Sequence, residues 1–206
     1  IIGEEYVLPA LGVWNSFEEI NFDKLPDQFV LKCTHDSGGI VICKDKSLFD
    51  VRKAKKKINK CLKHNYFDGS REWAYKNVKP RIIAEPYVLD ESGVELKDYK
   101  IFCFNGVPDY VEVDFNRWIE HKLNPYDFNW NPLNFCDDSK NDYSANIPKP
   151  KNLEKMRELA SELSKGYPFL RIGRIHRDVG TACLVYPDDS RNELLYPVKL
   201  NIHQIV

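Results

Sequence analysis

Phe29-Val30-Leu31-Lys32-Cys33-Thr34-His35-Asp36-Ser37-Gly38-Gly39-Ile40-Val41-Ile42 places two short β-prone runs on either side of a turn rich in small polar residues. The runs predict strands over about 28–34 and 39–44, joined as a hairpin. Glycine has no Cβ, so Gly38 and Gly39 allow close approach of the backbone, and successive N–H groups can then line an anion. Lys32, near the end of the first strand, would add a point charge to the same anion. Two readings stay open on this stretch alone: an ordinary hairpin turn, or a loop covering a polyphosphate.

The surrounding chain has 206 residues, 43% hydrophobic and 30% charged, the composition of one large globular domain or two small ones. A formal net charge of −1 leaves no global basic field for nucleic acid or an anionic membrane, so no nucleic-acid partner is expected. No apolar run reaches the roughly 20 residues of a membrane-spanning helix, so no transmembrane segment is expected. Ile1-Ile2-Gly3-Glu4-Glu5 has neither the basic nor the apolar region of a signal peptide. It opens without methionine in sequence that already reads as structured, which predicts that the parent protein has residues before Ile1. Cys33, Cys43, Cys61, Cys103, Cys136 and Cys183 are scattered, with no C-x-x-C pair and no zinc spacing. They predict reduced thiols and a cytoplasmic protein.

Upstream of the hairpin, Ser16-Phe17-Glu18-Glu19-Ile20 reads as a capped helical turn. Downstream, Ser47-Leu48-Phe49-Asp50 resembles a capping box with Ser47 at the N-cap, opening a helix to about Leu62. That helix carries Arg52, Lys53, Lys55, Lys56, Lys57, Lys60 and Lys63. The basic face reads as solvated; contact with nucleic acid, lipid headgroups or anionic sugar is the alternative. Residues 64–80 read as a loop with one short helix. Arg81-Ile82-Ile83-Ala84-Glu85-Pro86-Tyr87-Val88 reads as a buried strand ended by Glu-Pro, and Asp90-Glu91-Ser92-Gly93 as a polar break between domains 1–90 and 91–206.

In the second half, Asp98-Tyr99-Lys100-Ile101-Phe102-Cys103-Phe104 alternates as a strand. Asn105-Gly106 is a strong hairpin signal, and a return strand runs from Val107 to about Phe115. Residues 119–150 are aperiodic and read as a long surface excursion. Lys151–Lys165 is the clearest helix, with Leu153, Met156, Leu159, Ala160 and Leu163 on one face and Gly166 placed to end it. Phe169-Leu170-Arg171-Ile172 is the next predicted strand.

The order of these pieces resembles the ATP-grasp superfamily. The narrower likeness is to the group named after TupA, a teichuronopeptide biosynthesis protein. The residues behind it are Leu25 to Gly38, Glu85-Pro86-Tyr87-Val88, Asp98 to Pro108, and Arg117; the likeness runs over about residues 1–172. It implies an α+β, ATP-grasp-like fold of two small lobes, each with an antiparallel sheet and helices, and a nucleotide cleft between them. The first lobe would be the central one with the phosphate-covering hairpin. The second would be the C-terminal one with an atypical tail.

The resemblance assigns Lys32 to the ATP phosphates, and Ser37, Gly38 and Gly39 to the loop that covers them. Glu85, Tyr87 and Val88 fall at the adenine linker and Asp98 at the ribose. Lys100 and Arg117 fall at the catalytic positions that steady a carboxylate as it becomes an acyl phosphate. It implies ATP and Mg²⁺ as cofactors, and a carboxylate and an amine, or a sugar, of a bacterial surface polysaccharide as partners. Glycosyl transfer and a degenerate nucleotide-binding module are the alternatives to ligation. Where the group usually has a metal-binding Asp this chain has Gly173, and residues 173–206 depart from the group, so no metal ligand is assigned.

Overall fold

The computed structural model describes residues 8–89, 97–116, 119–135, 141–175 and 182–186. The chain divides into two compact units, Leu8–Val88 and the chain from Leu89 onward. Each is α+β with one antiparallel sheet and its own core.

The first unit begins with β1 (Gly12–Trp14), followed by β2 (Phe29–Cys33), β3 (Ile40–Cys43) and α1 (Val51–Cys61). Two short helices, α2 (Tyr66–Ser70) and α3 (Trp73–Lys76), precede β4 (Ile82–Pro86). The strand order is β1-β4-β2-β3, with β4 between the first strand and the hairpin. Leu31 lies opposite Ala84 and Cys33 opposite Ile82, on the face covered by α1 through Ala54 and Ile58. Phe29 meets Phe49 edge-on at 5.2 Å, and Phe22 packs against both rings. β3 is an edge strand, a position prone to unwanted pairing. Side chains close its two ends: Lys57 Nζ donates to the Ile40 carbonyl at 2.6 Å and Gln28 Nε2 to that of Lys44 at 3.0 Å.

Two expectations are corrected here. Ser47 does not cap the long helix. Its N–H and hydroxyl donate to Asp45 within a 3-10 turn, and Asp50 caps α1 by accepting from the Lys53 N–H at 2.9 Å. A phenylalanine at 49 that packs into the core forces the chain to turn before the helix starts. Residues 64–80 hold two short helices rather than one, because Arg71 takes a left-handed conformation (φ 61°) that ends the first.

The second unit contains β5 (Asp98–Phe104), β6 (Val107–Phe115), β7 (Lys122–Tyr126), α4 (Leu153–Ser164), β8 (Phe169–Ile175) and β9 (Ala182–Tyr186). They are ordered β7-β6-β5-β8-β9 in the sheet. Asn105 and Gly106 both have positive φ, as a tight hairpin requires. α4 lays Leu153, Met156, Ala160 and Leu163 over Ile101, Cys103, Val111, Val113 and Ile172. Gly166 follows it at φ 81°. The expected long surface excursion at 119–150 is corrected by β7, which pairs with β6 from Val111–Tyr126 to Phe115–Lys122. Pro125 is tolerated there because β7 is an edge strand.

Candidate functional site

In the first unit, the side of the sheet away from α1 carries Lys32, Val30 and Glu85. Lys32 is registered against Ile83 and Ile40, and Val30 against Glu85 and Ile42. Lys32 and Glu85 therefore lie diagonally across two strands on one face, and their side chains form an ion pair. The lysine stays about one-third exposed, the glutamate less. Aliphatic neighbours on both sides make this a flat apolar surface with one charged pair. Tyr87 continues from β4 and lies 5.8 Å from Lys44 Nζ, a cation–π distance; Val88 is buried.

The hairpin loop is pinned from below. Thr34 Oγ1 donates to the Lys79 carbonyl at 2.8 Å and accepts from the Arg81 N–H at 3.0 Å. His35 is buried, and its Nε2 lies 3.1 Å from the Cys61 carbonyl and 2.9 Å from that of His64. Two carbonyls can only accept, so Nε2 carries the proton and the ring ties the loop to the end of α1. Its geometry is structural. Asp36 accepts the Gly38 N–H at 3.0 Å. Burial pushes that carboxyl up, but bonds from the Gly38 and Ser37 N–H groups, with contributions from Cys61 and His35, hold it below its ordinary value. Ser37 and Gly38 are exposed and Gly39 is buried. The Gly38 amide thus faces a carboxylate supplied by its own loop, and a phosphate oxygen could take the same bond if Asp36 turned aside.

In the second unit, Asp98 is registered against Asp114, and Lys100 against Glu112 on one side and Gly173 on the other. Lys100 Nζ lies 2.6 Å from Asp114 Oδ2 and 3.0 Å from Glu112 Oε1, and His121 Nε2 is 3.2 Å from the same Asp114 oxygen. Asp114 is almost wholly buried. Lys100 is therefore an ammonium held between two carboxylates, with Asp98 on the same face. Glu112, Asp114 and His121 are functional candidates that the sequence reading missed. For the two acids the reason is local: the β5–β6 register shifts at Phe102/Cys103. Counting outward from Asn105-Gly106 without that bulge pairs Lys100 with Val111 and sends both acids to the opposite face. Arg117 lies outside the described residues.

Mg²⁺ takes hard oxygen donors in near-octahedral geometry. Gly173, opposite Lys100, offers no side-chain oxygen, and Glu112 and Asp114 are already paired with the lysine. Among the described residues no group of three or more His, Cys, Asp or Glu side chains is placed to hold a metal ion. The described residues do not form a magnesium site.

The family model of TupA-like ATP-grasp proteins matches residues 1–179, and the chain belongs to that family. Similar solved structures include D-alanine–D-alanine ligase from Bacillus anthracis complexed with ATP, at 14% identity and a TM-score of 0.43, covering 87% of this chain and 46% of that one. D-cycloserine synthetase DcsG is similar at 14% identity and a TM-score of 0.42, with 87% and 56% covered. The ATP-grasp ligase PsnB complexed with minimal precursor is similar at 6% and 0.39, with 87% and 45% covered. The chain spans about half the length of these structures. No curated protein matches it.

Proposed function

We propose that this chain is the nucleotide-handling part of an ATP-dependent carboxylate–amine ligase in bacterial surface or capsular polysaccharide biosynthesis. The observation that carries the reading is the Lys32–Glu85 pair on an apolar sheet face, with the Asp36–Gly39 turn at its end. Family membership supplies the nucleotide that such a face would take. Aliphatic side chains suit a purine, and by resemblance Glu85, Tyr87 and Val88 would form the adenine linker and Asp98 would bind the ribose. Lys32 would neutralise phosphate oxygens and the Ser37-Gly38-Gly39 turn would cover them.

The proposed reaction has two steps. A substrate carboxylate oxygen attacks the γ-phosphorus, the bond to the β–γ bridging oxygen breaks, and ADP leaves. An amine then attacks the acyl carbon, the bond to phosphate breaks, and the amine loses a proton. Negative charge gathers on the transferring phosphoryl oxygens, where fixed cations lower the barrier. Lys100, oriented by Glu112 and Asp114, would be one such cation and Arg117 the other.

A second reading, a nucleotide-binding module without turnover, is favoured by one specific observation: Gly173 stands beside Lys100 where an acidic ligand would be needed. Thermal denaturation with ATP and magnesium tests the common part. At about a hundred times its Kd, ATP should add about 2.7 kcal/mol of stability, and Lys32→Ala should remove that gain. No shift with ATP, or an undiminished shift in Lys32→Ala, would refute nucleotide binding at this face. ADP release on adding carboxylates and amines separates the ligase from the inert binder. Stabilisation by a nucleotide-sugar alone would point to glycosyl transfer.

A further inference from the structure

A feature of the first unit takes no part in nucleotide handling: the outer side of α1 together with the groove between it and β3. No acidic residue lies between Arg52 and Lys63. Among the described residues Arg52, Lys53, Lys56 and Lys60 have no ion-pair partner, whereas Lys55 is paired with Glu18 at 2.8 Å. At the N-terminal end of the same helix two aliphatic side chains face solvent: Leu48 is 82% exposed and Val51 42%. Leu48 lines a groove of about 470 Å³, together with Lys53 and Lys57. The acids nearest to it, Asp45 and Asp50, accept the backbone N–H groups of Ser47 and Lys53.

We infer that this face docks on an anionic lipid surface, with the α1 cations over the headgroups and Leu48 and Val51 entering the acyl boundary. Charge complementarity names the partner, and the aliphatic tip decides between polyanions. Nucleic acid rewards cations and aromatic stacking, whereas exposed leucine and valine beside a basic stripe gain only where hydrocarbon is available. The absence of a global basic field does not oppose this, because membrane attraction acts within a Debye length of the surface and sees the local stripe.

Co-sedimentation of the full chain with vesicles tests the inference without ATP, so its outcome is separate from that of the nucleotide reading. The chain should bind vesicles of phosphatidylcholine mixed with phosphatidylglycerol and not those of phosphatidylcholine alone. Binding should fall when salt is raised from about 0.1 M to about 1 M, a readout that needs no variant to fold. Lys53→Glu with Lys56→Glu should weaken partitioning by about twentyfold or more. Leu48→Ser with Val51→Ser should weaken it severalfold with every cation in place. Equal binding to both vesicle types, no binding to either, or charge reversal without effect would overturn the inference. So would unchanged vesicle binding by the serine variant together with tight binding of a single-stranded oligonucleotide, which would make the stripe a general polyanion face.

Discussion

Gly38 and Gly39 are neighbours in one turn and do different work. A Cβ at Gly39 would stand 2.9 Å from Asp36 Oδ2 and 3.0 Å from the Cys33 side chain, while at Gly38 the nearest atom is 3.8 Å away. Gly39→Ala should therefore destabilise the fold by about 1–3 kcal/mol through overpacking. Gly38→Ala should change stability by less than about 1 kcal/mol. Urea denaturation of both variants reads the difference directly, and equal losses would mean that the turn is not packed against Cys33. The Cys33 thiol beneath it is pushed up to about 12, first by burial and then by Cys61 and Asp36. Its folded value exceeds the unfolded one, near 8.5, so its contribution is complete below about pH 8.5 and is lost as pH rises toward 12. Denaturation midpoints between about pH 8 and pH 11 should fall more steeply for the wild type than for Cys33→Ala.

Elements show where tertiary context overrode local pattern. The hairpin at 29–43, the Asn105-Gly106 turn and α4 follow from alternation, turn chemistry and helical period, and each is present. β7 could not be read that way. Lys122-Leu123-Asn124-Pro125-Tyr126 lacks β-branched residues and contains a proline, and its pairing partner is supplied from outside the segment. It is anchored by Asn124, which is fully buried. Asn124 Nδ2 donates to the Asp142 carbonyl at 2.8 Å, and Oδ1 accepts the Asp142 N–H at 2.8 Å. Asn124→Ala removes both partners from a half-buried peptide group and should cost about 1–3 kcal/mol. Asn124→Asp keeps the acceptor and loses the donor, so it should retain only part of that stability. The same dependence on context hid Glu112 and Asp114, since one bulged residue decides which face of β6 meets Lys100. Lys32, Glu85, Asp98 and Lys100 were named from the family resemblance; the regular alternation of β2 and β5 set only the faces on which Lys32, Asp98 and Lys100 stand.

At the scale of the whole molecule, the described residues form two hydrophobic cores with separate membership: one around Phe29, Leu31, Ile58 and Ile82, the other around Ile101, Val113, Met156 and Ile172. Each sheet shields its middle and exposes an edge, so local opening should be graded within each unit. In the first, β4 and β2 are the inner strands, and in the second β5 is flanked by paired strands on both sides. Native-state hydrogen exchange should therefore show its slowest amides in two groups far apart in sequence: one in β2 and β4 near Leu31 and Ala84, one in β5, β6 and β8 near Ile101, Val113 and Ile172. The edge strands β1 and β7 should exchange sooner, β1 because it is only three residues long. In β7, Pro125 has no N–H to contribute to the ladder with β6. A core substitution separates the two groups: Ile58→Val should speed exchange in the β2–β4 group first, since its side chain packs only in that core. A single slow group confined to one unit, with every amide of the other exchanging at loop rates, would mean that the second core does not hold its sheet.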